Sequence, residues 1–458
     1  MCMLIDIPIN IIDISESIVN SPLYLLICSG VMRSMVDMGS QNGMIPKWPL
    51  ASIETNCMVG KHGMASMAES ILAGYGNYTD FETIVPIIIS ETTTDNGPRV
   101  DIEFYLAYGY IPVEDNAHSA ALTLSYSFDD YSASVIEEFI GNAYSIDEYI
   151  TSANNSLNRA LNYQLIFNTE VNLMCPKKAD ASWQCPKTST SKDAWDDFVE
   201  GDAEHWRFFV PHDYEGLISL FPSSQAFEKT LLNFFERGED IDAKIGNSLP
   251  NPYYWAGNEV DIATPFLFNF VNCTYTQYWT RKILKSRFSN ENNGLPGNDD
   301  LGTMSAFVLF TSIGLFPQAG TTRFFITSPV VDSVRIEIDD ILSSSSWRYK
   351  TTSISVTNKS NDRIGVHDSD MNTKMKTKIT HVLEIETHDN SETNVYVYKV
   401  VLNGDQEILT PFIDRSVLLG GGLANGEGLR EGNLGNVVVT KLEFYMSALP
   451  KSNMCVDD

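Results

Sequence analysis

Near residue 322 the hydrophobic period of this chain changes from that of helices to that of strands, and this change constrains the fold more than any other feature. Before it, Phe227, Leu231, Phe234 and Phe235 recur at i, i+4, i+7 and i+8, behind the cap candidates Ser223 and Ser224. That predicts a helix with one buried face, closed by Gly238. Tyr131, Val135 and Phe139 form a second stripe after Asp129-Asp130, and residues 304–316 are long and apolar enough for a buried helix. Long Pro- and Asn-rich stretches at 247–255 and 289–300 separate the helices, and such loops are more often functional than ornamental.

After residue 322 the apolar Val334, Ile336 and Ile338 alternate with Arg335, Glu337 and Asp339. Val395, Val397 and Lys399 alternate in the same way with Tyr396, Tyr398 and Val400. Asn403-Gly404 suits a tight hairpin turn that needs two positive φ angles, and Gly420-Gly421-Gly422 marks a loop. The expected architecture is mainly α over residues 1–322, followed by a small antiparallel β-domain over 323–458.

Hydrophobic residues at 43% and charged ones at 20% exclude disorder, collagen and coiled coil as the dominant state. The 59 acidic residues outnumber the 31 basic ones and leave a net charge of -28, a field that repels phosphate backbones and anionic lipid heads. Neither nucleic acid nor a membrane is therefore expected as a partner, whereas cations and neutral, hydroxyl-rich ligands are. The first residues lack a basic stretch, and Asp6 and Asp13 interrupt their apolar run, so they read as neither signal peptide nor membrane span. Cys175 and Cys185 bracket a short polar loop and are either a local disulfide or two free thiols. Acceptor triplets for N-glycosylation at Asn77, Asn154, Asn272 and Asn358 lean towards a secretory route.

Chemistry is concentrated in three loop segments: residues 199–217, 253–261 and 294–307. Each places carboxylates beside Trp or Tyr at Gly-flexed turns. A sugar-cleaving site needs that combination, because aromatic faces stack on a pyranose while two carboxyl groups supply a proton donor and a base or nucleophile. The residues alone leave two other readings open: solvated acidic loops with buried anchors, or oxygen ligands for a hard cation such as calcium. No Cys/His spacing suits zinc, and neither a phosphate-binding Gly-rich loop nor a nucleophile-elbow Ser is present.

The strings Val210-Pro211-His212-Asp213 with Gly216-Leu217, Gly257-Asn258-Glu259 with Asp261, and 294–306 (Gly-Leu-Pro-Gly-Asn-Asp-Asp-Leu-Gly-Thr-Met-Ser-Ala) resemble those of glycoside hydrolase family 92. Pro46-Lys47-Trp48-Pro49-Leu50, Met58-Val59-Gly60-Lys61-His62, Phe128-Asp129-Asp130-Tyr131, Gly314-Leu315-Phe316-Pro317 and Ile326-Thr327-Ser328-Pro329 extend the resemblance over about residues 30–420. It implies a calcium-dependent, inverting exo-α-mannosidase built as an (α/α)₆ toroid followed by a small C-terminal β-sandwich. The N-terminal β-sandwich that precedes the toroid in that family has no counterpart here, so the chain looks like a member shortened at its front.

By resemblance, Glu200 is the general acid and Asp300 the base that activates water, with Asn298 standing where the family often has a second acid. Glu259 is the calcium-ligand carboxylate, while Trp255, His212, Asp213 and Asp299 are substrate-binding candidates. His212 and Asp213 have an equally good reading as a helix cap and loop brace. The Glu-Gly-Asn-x-Trp-Gln-Tyr string of the family reads Glu200-Gly201-Asp202-Ala203-Glu204-His205-Trp206 here. Glu204 is thus an extra acid that either raises the Glu200 pKa or faces solvent. Val260 and Ile262-Ala263 replace a Pro and a His of the related loop, which alters its sugar contacts. The implied activity is release of terminal α-linked mannose, most simply α-1,2-linked, from N-glycans or mannans. The alternatives are mannoside binding without turnover, or a fragment that needs a missing domain.

Overall fold

The computed structural model describes residues 23–50, 53–72, 81–94, 97–186, 197–245, 251–300, 302–340, 352–357, 379–418, 436–451 and 455. Its first part is helical: α1 (Leu23–Asn42), α2 (Gly63–Leu72), α3 (Val85–Thr93), α4 (Ile102–Tyr108), α5 (Ser119–Tyr144) and α6 (Asp147–Arg159). After the short hairpins β1 (Pro49–Leu50) with β2 (Ile53–Glu54), and β3 (Phe167–Asn168) with β4 (Leu173–Met174), helices resume. These are α7 (Ala203–Trp206), α8 (Tyr214–Ser219), α9 (Ser224–Ile245), α10 (Cys273–Arg287) and α11 (Thr303–Ile313).

α5 is buried along most of its length, and it starts well before the acidic pair that the apolar stripe was expected to follow. Its deep positions are Ala133, Ile136 and Ile140, which join Met64 and Met67 of α2 and Val85 and Ile88 of α3 in one cluster. Tyr131, Val135 and Phe139 are only half-buried. Asp129 and Asp130 lie inside the helix and are buried, which a carboxylate tolerates only when paired. Arg99 and Arg159 meet Asp130 at 2.7 and 2.9 Å, while Asp129 receives the His62 ring at 2.8 Å and the Lys61 N–H at 2.5 Å.

In α9 the expected stripe is fully buried, and Ser223 caps the helix by accepting from the Ala226 N–H at 3.1 Å. Gly238 does not end it: the helix continues to Ile245. The glycine serves close approach instead, because a Cβ there would stand 2.7 Å from the Tyr254 carbonyl oxygen. That contact seats the 253–261 loop on α9.

α11 ends at Gly314, whose φ of 89° supplies a left-handed cap. Strand structure then takes over. β5 (Leu315–Pro317), β6 (Arg323–Ile326) and β12 (Phe412–Asp414) form a three-stranded sheet. β7 (Ser333–Asp340), β8 (Thr352–Thr357), β9 (Ile379–His388), β10 (Tyr396–Leu402), β11 (Gln406–Ile408) and β13 (Asn436–Ser447) form a six-stranded one, in the order β11-β10-β13-β9-β7-β8. The chain is thus helical and then β, as the change of period implied.

Two details of the β part differ from the expectation. β13 pairs with β9 in parallel, so the sheet is mixed rather than antiparallel; β10, β11 and β12 lie between them in the chain, which leaves ample length for a parallel return. A register shift between Val397 and Lys399 breaks the alternation of β10, and the side-chain amide of Gln277 on α10 fills the irregularity. It accepts from the Val397 N–H at 3.1 Å and donates to the Val397 carbonyl at 3.4 Å. Asn403 and Gly404 turn β10 into β11 with φ of 52° and 86°, as the sequence required.

Cys175 and Cys185 form a disulfide, and a second one, absent from the sequence reading, joins Cys273 to Cys455. Asn154 is exposed on α6, whereas the Asn272 side-chain oxygen caps α10 by accepting from the Thr274 N–H. Asn77, Asn358 and the 420–422 glycines lie outside the described residues, and so does part of the 247–255 loop.

Candidate active site

The three loops singled out in the sequence converge. Glu200 is exposed at the lip of an otherwise buried run, 201–210, and its backbone is left-handed, with φ 53°. A non-glycine residue in that region costs roughly 1–2 kcal/mol and persists where its surroundings over-determine it. The surroundings are visible. Trp206 Nε1 donates to the Val199 carbonyl at 2.9 Å, and Asp202 caps α7 by accepting from the Glu204 and His205 N–H groups. The Asn258 side-chain amide donates to the Glu200 carbonyl itself at 3.1 Å.

The 253–261 loop is tied internally by Asp261, whose buried carboxylate accepts from the Trp255 N–H at 3.1 Å. Asn258 caps the short turn Glu259–Asp261. Gly257 packs against the Trp255 ring and the Pro296 carbonyl, where a Cβ would stand 2.7 and 2.6 Å from them. A Cβ on Gly297 would be 2.8 Å from the Gly257 carbonyl oxygen. Only glycines allow the two loops to lie backbone to backbone, and this brings Glu259 to Asp300.

Asp300 is also left-handed, with φ 48°. Its carboxyl lies against that of Glu259, and the hydrogen bond between them, then burial, pushes its pKa up to about 7. Burial is the largest influence on Glu259 and would raise it, yet the lowering influences, led by the hydrogen bond with Asp300, together hold it below its ordinary value. Crowding by protein raises the Glu200 carboxyl, and the charge of Glu259 raises it further. Three acids from three loops therefore feel one another: Glu200 and Asp300 are raised, and Glu259 is lowered.

The remaining candidates divide. Trp255 is half-buried beside Glu259 on the same loop, and Asn298 is exposed two residues before Asp300. Asp299 is engaged by α11, accepting from the Ser305 N–H at 2.9 Å and from the Ser305 hydroxyl at 3.0 Å. Asp213 caps α8 through the Gly216 N–H at 2.9 Å and accepts from the Tyr163 hydroxyl at 2.7 Å. His212 stacks on Phe128 at 5.8 Å and donates from Nε2 to the Ala160 carbonyl at 2.9 Å, while burial lowers its pKa to about 4. Glu204 neither faces solvent nor appears among the groups raising Glu200. It is buried and pairs with Arg207 at 2.7 Å, one turn along the chain.

Two features escaped the sequence reading. A cavity lined by Phe208, Pro211, Tyr214, Ile262 and Phe316 opens beside Glu259, so the loop's departures at Val260 and Ile262-Ala263 give that carboxylate an apolar neighbour. His205 bridges the acid-bearing turn and the 253–261 loop: its Nε2 donates to the Tyr253 carbonyl at 3.0 Å and lies 3.7 Å from Asp261. A histidine in place of the related string's Gln was the signal.

For a cation, the neighbouring carboxylates of Glu259 and Asp300 offer oxygen donors, which suit a hard ion. A different group of Glu386, His388 and Glu443 lies on the six-stranded sheet, far from these loops in sequence. Lys441 already bridges Glu386 at 2.6 Å and Glu443 at 3.2 Å there.

Comparison with known proteins adds to this geometry. The family model described as Glycosyl hydrolase family 92 catalytic domain matches residues 26–425. An uncharacterized secreted glycosidase of Arthroderma benhamiae is 21% identical over 342 residues, which is 66% of this chain and 41% of that protein. A solved family GH92 α-mannosidase from Bacteroides thetaiotaomicron is 23% identical with a TM-score of 0.69, covering 93% of this chain and 47% of its own. A GH92 inverting mannosidase from the same organism is 20% identical with a TM-score of 0.70, covering 94% and 52%. At such identities the likeness is one of fold. The chain spans about half the length of these structures and less than half of the curated relative.

Proposed function

The chain belongs to glycosyl hydrolase family 92, and from that premise we propose that it hydrolyses terminal, non-reducing α-linked mannose, most simply α-1,2-linked, from N-glycans or mannans with inversion. The observation that carries the proposal is the meeting of the turns bearing Glu200, Glu259 and Asp300, joined by the Asn258 bond to the Glu200 carbonyl and by the close Gly257–Gly297 contact. Glu200, whose pKa is raised by burial and then by the charge of Glu259, gives a proton to the departing oxygen. Asp300 takes the proton of the attacking water, which the exposed Asn298 amide orients. Trp255 offers a face for the sugar ring, and Glu259 is the carboxylate that would hold calcium. Calcium held there would supply positive charge to the sugar's hydroxyls. His212, Asp213 and Asp299 brace the loops that present these groups.

We assign the helical part to an (α/α)₆ toroid over residues 1–322 and the remainder, 323–458, to a β-sandwich. The secretory route is supported by two disulfides and by a curated relative described as secreted; among the described residues no helix is long and apolar enough to cross a membrane.

A second reading, mannoside binding with little turnover, is favoured by one feature, the apolar cavity beside Glu259. Incubating the folded chain with α-1,2-mannobiose, with calcium and with EGTA, and following the anomer by NMR separates the two. Calcium-dependent release of β-mannose supports the hydrolase. Binding without release supports the second reading, and neither binding nor release rejects both.

A further inference from the structure

The His205 side chain is buried, and its ring lies directly under the turn that carries Glu200: a Cβ on Gly201 would stand 3.2 Å from it. Nδ1 accepts from the Asp202 N–H at 3.0 Å, closing a capping box around the start of α7. Nε2 donates to the Tyr253 carbonyl at 3.0 Å, and the Asp261 carboxylate stands 3.7 Å away. The Asn258 amide grips the Glu200 carbonyl at 3.1 Å. The acid-bearing turn is therefore stapled twice to one loop, at the carbonyl of Glu200 and through His205 just beyond it, beside a residue whose left-handed backbone persists only where its surroundings hold it.

We propose that His205 is a positioning residue, which locks the Glu200 turn onto the Tyr253–Asp261 loop so that the acid meets the leaving-group oxygen. This rests on the hydrolase reading above and on Glu200 as its acid. A carboxyl group must lie within hydrogen-bond reach of the oxygen it protonates, and a misplacement of about 1 Å costs roughly 100-fold. His205 suits the task because its two ring nitrogens point in different directions from one rigid plane: one holds the turn, the other the neighbouring loop. An acid that helps only departure is dispensable when the leaving group departs without a proton. A loss of positioning therefore shows up as dependence on the leaving group, and a general loss of fold does not.

The test compares His205→Ala and His205→Gln with the wild-type chain on α-1,2-mannobiose and on dinitrophenyl α-mannoside, with circular dichroism and melting as controls. His205→Ala should lower kcat on mannobiose roughly 10- to 100-fold, leave its KM within about two-fold, and keep the dinitrophenyl substrate within about three-fold. His205→Gln, whose amide can both donate and accept, should recover part of the loss. Should His205→Ala fail to fold, His205→Gln is compared on the two substrates in its place, and Asn258→Ala, which cuts the second staple between the same turn and loop, is read in the same way. Equal losses on the two substrates, or none on either, overturn the positioning role while leaving the hydrolase intact. A wild-type chain inactive on both overturns the underlying reading and this inference with it.

Discussion

Gly257 and Gly297 lie backbone to backbone, so close that a Cβ on the second would stand 2.8 Å from the carbonyl oxygen of the first. The two glycines belong to the loops that carry Glu259 and Asp300, so the approach of those acids depends on this contact.

Gly257→Ala is therefore expected to separate the acids more than it unfolds the chain. The new methyl meets the Pro296 carbonyl at 2.6 Å and the Trp255 ring at 2.7 Å, and relief of such overpacking costs about 1–3 kcal/mol. Mannose release should fall roughly 10- to 100-fold while the melting temperature drops by only a few degrees. Unchanged turnover in a folded variant would show that the loops need not touch.

Glu200→Gln keeps the size of the side chain and removes its proton. General acid catalysis contributes roughly 100- to 10,000-fold, so turnover of mannobiose should fall by that factor while binding of mannose, followed by calorimetry, persists. Full activity in the variant would reject Glu200 as the acid.

The parts that sequence revealed are those written locally. The α9 stripe, the Asn403-Gly404 turn and the order of the three loops each depend on a few neighbouring residues. What it hid is set by distant partners. Asp129-Asp130 has no local sign of burial, because the groups that neutralise it, His62, Arg99 and Arg159, come from three other segments. Gly238 reads as a helix stop until Tyr254 is seen against it. Nothing near Cys273 announces Cys455, and nothing within β13 says that its neighbour β9 runs parallel. In the site, neither reading of Glu204, as a modulator of Glu200 or as a solvent-facing acid, takes account of Arg207, which pairs with it in the buried turn.

The two disulfides should differ in worth. Cys175 and Cys185 are separated by 10 residues and Cys273 and Cys455 by 182, and loop-closure entropy gives about 3 and about 5 kcal/mol respectively. Cys455→Ser should therefore lower the unfolding free energy, measured in urea, by about 2 kcal/mol more than Cys185→Ser. Equal losses would mean that loop length does not govern either bond.

His212 links the chain's stability to pH in a direction that can be worked out. Burial lowers its pKa from 6.5 to about 4 in the folded chain, where its ring is stacked on Phe128 and its Nε2–H is taken by the Ala160 carbonyl. Between those two values the unfolded chain binds a proton that the folded chain refuses. Stability from this group is thus complete above the unfolded value and is lost as pH falls towards about 4, by roughly 3 kcal/mol at most. Buried Glu69, Glu91 and Glu137, each raised to about 7 by burial, act in the opposite sense, because there the folded chain binds the proton first. His212→Gln keeps a donor for Ala160 and does not titrate, so subtracting its urea-unfolding free energy from that of the wild type cancels the three glutamates. That difference should be flat above about pH 6.5 and then move against the wild type on acidification, by about 1.4 kcal/mol per pH unit at its steepest. A difference that stays constant down to pH 4 would show that the imidazole is not held neutral by the fold.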